Sequence, residues 1–144
     1  MLRDDRQMAL NEVLTRCDDL VDRYRVAAQV VNNTAFSALM LELADERENA
    51  RGELRDEVRR LGDLPQFGDS DREALEDLFT VLRAKLGSHP DESVRGEFLH
   101  LEAALTEAID HAIEQDLPET TREVLDRLRR ASHAARNALN RRQA

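Results

Sequence analysis

The chain has 144 residues and a net charge of −9, with 41% apolar and 35% charged residues but only 3% aromatics and no tryptophan. That acidity excludes nonspecific binding to nucleic acid or to an anionic membrane surface, both of which require basic faces. A core with so few rings is built from Leu, Ala, Val and Ile, which favours helices packed on helices over a β-sandwich, and the length suits one such domain, residues 1–144.

The first helix, expected over roughly 3–31, carries Leu10, Leu14, Cys17, Val21, Tyr24, Ala28 and Val31. Spacings that alternate between four and three make one apolar seam. Asn32 and Asn33 break the seam and can cap the next helix. The second helix, roughly 34–61, carries Phe36, Met40, Leu43, Ala50, Leu54, Val58 and Leu61. Gly62 is its stop, and Pro65 and Gly68 lie in the loop beyond. Ser70-Asp71-Arg72-Glu73 is a capping-box pattern. It opens a shorter helix, roughly 70–86, with Leu75, Leu78, Phe79, Leu82 and Leu86 on one face and Gly87 as its stop. Ser88-His89-Pro90-Asp91 starts the fourth helix, roughly 90–115, striped by Val94, Phe98, Leu101, Leu105, Ala108 and Ala112. Asp116-Leu117-Pro118-Glu119 starts the last, roughly 118–141, with Val124, Leu128, Ala131, Ala135 and Leu139.

Very short turns join the first pair and the last pair, so each pair is an antiparallel hairpin. The segment between the pairs is long enough to cross the length of the molecule, and two hairpins joined by a long crossover is the ferritin-like connection. The expected fold is therefore all-α: a ferritin-like four-helix bundle of two antiparallel hairpins, with an extra short helix in the crossover. The apolar face of helix 70–87 must lie on the bundle or on a partner; since four helices already close a core, it points to self-association, and a homodimer is expected. The last helix is basic from Arg127 onward, through Arg129, Arg130, Arg136, Arg141 and Arg142. These arginines either complement the helix dipole or offer a docking stripe to an acidic protein partner, such as another copy. Lys85 is the only lysine, which reads as genome composition rather than as recognition chemistry. One cysteine allows no intrachain disulfide, and no segment reaches the ~20 apolar residues of a membrane span. A cytoplasmic protein is expected.

Two polar residues interrupt the second seam between Leu43 and Ala50. Glu46 and Arg47 both fall within about 60° of the apolar centre on a helical wheel. A carboxylate facing a core needs a metal or a cationic partner. Glu46 is thus a metal ligand, or the partner of an arginine (Arg47 and Arg130 being the candidates), or a side chain that reaches past the edge of a loosely packed seam. Glu102 flanks the fourth seam. It either meets Glu46 across the interior, with a cation between them, or stands at the edge with its head in water. Cys17 lies on the first seam as a small buried hydrophobe. His89, His100, His111 and His133 form no pair at metal-binding spacing, and no nucleophile elbow or phosphate-binding glycine loop is present.

The segment Leu43-Ala44-Asp45-Glu46-Arg47-Glu48-Asn49, with Tyr24 before it and Glu102 and His133 after it, resembles the ferritin-like superfamily. More narrowly, the chain resembles a bacterial ferritin-like family, domain-of-unknown-function family 2383. The shared residues are Leu10-Asn11-Glu12-Val13-Leu14, then Asp19 through Tyr24-Arg25-Val26-Ala27-Ala28, then Leu43-Ala44 with Glu46-Arg47, and Glu102. The resemblance implies a bundle fold, a bacterial origin and a link to stress responses. Ferritin-like diiron proteins place a carboxylate on each of two helices and a Glu-x-x-His pair on each of the others, because residues three apart share a face and converge on one metal. Against that pattern Glu46 and Glu102 match. Asn49 replaces the first histidine, and Arg130 stands where a glutamate would precede His133. Tyr24 takes the inward position on the first helix. The resemblance therefore implies a degenerate metal site, with no cofactor and no enzymatic activity. The alternative is a reduced carboxylate site for iron or another divalent metal, built on Glu46 and Glu102, with Asn49 and His133 as further ligands and Tyr24 and Arg47 lining it.

Overall fold

The computed structural model of the chain describes residues 3–65 and 72–141, apart from the side chains of 72–75, 85 and 86. The Ser70–Glu73 capping pattern, Gly68, the side chains of Leu75 and Leu86, and Arg142 lie outside the described residues. Among the described residues there are five helices: α1 (Asp5–Val30), α2 (Thr34–Arg60), α3 (Arg72–Leu86), α4 (Pro90–Ile113) and α5 (Glu119–Asn140). Among the described residues there is no strand.

The helices start and stop on punctuation residues. At the head of α1 the Gln7 N–H donates to Asp4 Oδ1 at 2.8 Å, and the Asp4 N–H donates to Gln7 Oε1 at 2.9 Å. This capping box holds the Asp4 carboxyl below its ordinary range, chiefly through the Gln7 N–H. At the head of α2 the Asn33 side chain accepts the Phe36 N–H at 2.9 Å. α2 ends in a Schellman turn, with Gly62 at φ +78°. There the Gly62 N–H donates to the Arg59 carbonyl at 2.9 Å and the Asp63 N–H to the Val58 carbonyl at 3.2 Å. Gly87, at φ +58°, follows α3.

α1 packs against α2 and α4, α5 packs against α4 and α2, and α3 lies on α1 and α4. Polar contacts fix the two ends. At one end the Asp91 carboxylate accepts the N–H groups of Asn32 at 2.8 Å and Asn33 at 3.0 Å, so α4 begins beside the α1–α2 turn. At the other, Arg3 pairs with Asp63 at 2.9 Å and Arg6 donates to the Asp116 carbonyl at 3.4 Å. The start of the chain, the end of α2 and the α4–α5 turn therefore share that end. α2 therefore ends at the end of the molecule opposite to the one where α4 begins, and α3 stands between them in the chain.

α3 applies its apolar face to its own chain. Leu82 is buried, and Leu78 and Phe79 pack half-buried against the core. Leu78, Phe79 and Leu82, from the face on which self-association was expected, thus pack on the chain's own core. The core between the other four helices is aliphatic, with one stacked ring pair, Tyr24 on Phe98 at 4.2 Å between centroids.

Candidate functional site

On α2 the buried run is Phe36, Met40, Leu43, Arg47, Leu54 and Val58, and on α4 it is Val94, Phe98, Glu102, Leu105 and Ile109. Both runs keep helical spacing, so Arg47 and Glu102 occupy positions that would otherwise hold apolar side chains. Neither has any exposed side-chain surface. Arg47 Nη2 donates to Glu102 Oε1 and Oε2, each at 2.8 Å, and approaches the Ala131 carbonyl of α5 at 3.4 Å. The Tyr24 hydroxyl, from α1, donates to Glu102 Oε2 at 2.7 Å. The Ser132 hydroxyl, from α5, donates to Glu102 Oε1 at 2.9 Å and lies 3.1 Å from the Thr106 hydroxyl. The Cys17 thiol donates to the Arg47 carbonyl at 3.2 Å. Side chains from three helices thus converge on a carboxylate carried by the fourth.

Burial pushes the Cys17 thiol up from 9.0 to about 12. Burial, then the neighbouring Glu102 charge, holds the Tyr24 hydroxyl protonated well above its usual range. Burial works against the charge on Arg47, but the adjacent Glu102 carboxylate outweighs it and the guanidinium keeps its proton more firmly than usual. Glu102 therefore sits among proton donors: a guanidinium, a phenol and a hydroxyl. A metal needs the opposite, lone pairs aimed at one point. Both Glu102 oxygens are already engaged, and a cation there would meet the Arg47 charge. The Nε and Nη1 groups of Arg47, buried and without an acceptor among the described residues, add donors rather than ligands. Among the described residues no three His, Cys, Asp or Glu side chains are grouped so as to hold a metal ion. These residues do not fit a diiron centre.

The structure places the expected site residues unequally. Tyr24, Arg47 and Glu102 come together in the interior, whereas Glu46, Asn49 and His133 are exposed. Glu46 does not face the core or share a site with Glu102. One residue along a helix is about 100° of rotation, so centring Arg47 on the core turns Glu46 to the flank. There Glu46 and Asn49 line a shallow groove between α2 and α5 with Ala50, Glu53, Arg127 and Ala131. Partial burial raises the Glu46 carboxyl, and Glu42 adds to the shift against the opposing pull of Arg47. The arginine expected beside Glu46 pairs with Glu102 instead. The edge position expected for Glu102 is also wrong, since its stripe passes directly through it. The four histidines are all exposed.

Several buried polar residues leave little trace in the sequence. Thr106 and Ser132 sit at seam positions, but a small hydroxyl there leaves no mark in a hydrophobic pattern. Asp18 is buried and pairs with Arg51 at 2.6 Å and with Arg55 at 3.8 Å. A signal for it exists: Asp18 adjoins Cys17 and precedes Val21 by three, and two arginines four apart face it from α2. Glu57, also buried, accepts the Thr121 hydroxyl at 3.0 Å and pairs with Arg60.

The chain belongs to the family described as Domain of unknown function (DUF2383), whose model matches residues 5–115. The matched span covers α1 through α4, including Tyr24, Arg47 and Glu102, and stops short of α5. No curated protein matches the chain, and no solved structure matches it.

Proposed function

We propose that this member of the DUF2383 family is a ferritin-like four-helix bundle that serves as a non-enzymatic binding or assembly protein, with a charge pair standing in place of a metal centre. Two antiparallel hairpins, a lengthwise crossover and polar side chains converging from four helices support the ferritin-like reading. The observation that carries the rest is Arg47 Nη2 lying 2.8 Å from both oxygens of Glu102 in an interior closed to solvent. A guanidinium neutralises the carboxylate that a metal would need. With both side chains fully enclosed by the described residues, partners meet the outer faces of the helices. The family resemblance adds a bacterial setting and a link to stress responses to this reading, and the single cysteine accords with a cytoplasmic location.

Iron loading tests it. Protein incubated anaerobically with ferrous iron and then desalted is expected to retain only trace iron by elemental analysis. Stoichiometric iron that disappears in Glu102→Ala would overturn the proposal and make oxygen chemistry the next question.

A further inference from the structure

The two broad sides of the molecule differ. α3 covers the side formed by α1 and α4, while among the described residues no helix covers the side formed by α2 and α5. That bare side has an uneven charge pattern. On α2, Glu42 and Glu46 are exposed one turn apart and have no ion-pair partner among the described residues. On α5, Arg130 is exposed and likewise has none. Small side chains are exposed on the same helices, Ala35 and Ala38 on α2 and Ala134 on α5, with Ala138 half-buried. Small residues let two helices approach closely, and like charges one turn apart repel unless something opposite meets them.

The register of the two helices follows from their contacts. Arg47 reaches the Ala131 carbonyl, Glu53 pairs with Arg127 at 2.6 Å, and Glu57 accepts from Thr121. The helices are therefore antiparallel, with Arg130 level with Glu48. Glu46 lies two residues from that level, about 3 Å along the axis at 1.5 Å per residue. A two-fold axis along the α2–α5 groove would lay α2 of one copy over α5 of the other at unchanged height. It would bring Arg130 of each copy to Glu46 of the other, with Glu42 beside it and the alanines further along the same contact. Such an interface is self-complementary, as a two-fold contact has to be.

We propose that a second copy of this chain docks on the α2–α5 side, with Arg130 of each copy paired to Glu46 of its partner copy. This deepens the reading of the chain as an assembly protein and rests on that reading, although it does not depend on the metal question. Partial burial of Glu46 within the groove accords with a carboxylate that gains a cationic partner on docking.

Sedimentation velocity on the full chain tests the proposal, with circular dichroism as a check that each variant is folded. The wild type is expected to be a dimer. Arg130→Glu and Glu46→Arg, both at exposed positions, should each shift the population to monomer by tenfold or more in dissociation constant, and the double variant should regain the dimer. A monomeric wild type overturns the proposal. A dimer indifferent to either reversal places the interface elsewhere and overturns it too, as does a double variant that remains monomeric. Each of these failures leaves the iron-loading result unaffected.

Discussion

Cys17 and Tyr24 are titratable side chains placed where their charged forms are penalised. Burial raises the thiol from 9.0 to about 12, and burial with the adjacent Glu102 charge raises the phenol above its ordinary 10.0. An unfolded chain would ionise both near their ordinary values. Above pH 9 the unfolded state therefore binds fewer protons than the folded one, and stability falls as pH rises from about 9 toward 12. Urea midpoints measured between pH 7 and pH 11 should hold steady at first and then decline, and Cys17→Ala should delay the onset. A flat profile would mean that neither group is as enclosed as the structure has it. Arg47 and Glu102 belong to the same residue-scale logic. Their charges persist in the interior because each neutralises the other, and because Tyr24 and Ser132 occupy the remaining lone pairs of the carboxylate.

At the scale of elements, much was legible. Asn33 as a cap and Gly62 and Gly87 as stops work through local backbone chemistry that reads directly from sequence. The first seam also read correctly through Leu10, Leu14, Cys17, Val21 and Tyr24, whereas the fourth was read through Leu101 and runs through Glu102. Legibility failed at the interruption in α2, where Glu46 and Arg47 are neighbours and a wheel uncertain by tens of degrees cannot choose between them. Packing chose the cation, because Arg47 neutralises the carboxylate arriving from α4, whereas a second carboxylate at Glu46 would repel it. Thr106 and Ser132 stayed hidden for a different reason: their role depends on a partner across the interior, which no single helix reveals. Helix chemistry also makes a prediction. Gly96 lies inside α4, is exposed, and an added Cβ there would meet nothing within 4 Å. Gly96→Ala should therefore stabilise the chain by about 0.5–1 kcal/mol in chemical denaturation, through helix propensity and a less flexible unfolded state. A loss of stability would reveal a close contact on that face of α4.

For the whole molecule, the interior pair ties the two hairpins together at the centre, as Asp91 with Asn32 and Asn33, Glu53 with Arg127, and Glu57 with Thr121 do elsewhere. α1 and α2 supply Tyr24 and Arg47, and α4 and α5 supply Glu102 and Ser132. Aliphatic packing would hold the helices together without it, since fully buried ion pairs are seldom net stabilisers relative to well-packed apolar substitutes. The pair instead fixes which helix faces meet, because any other rotation of α2 or α4 would bury an uncompensated charge. The most direct test is urea unfolding of four proteins: the wild type, Arg47→Met, Glu102→Leu and the double variant. Each single change should cost about 3–5 kcal/mol by stranding one buried charge, while the double variant should fall close to the wild type or exceed it. A double variant that instead loses the full sum of the two single losses would contradict the closed pair, and would mean that Arg47 and Glu102 each stabilise the interior independently of the other.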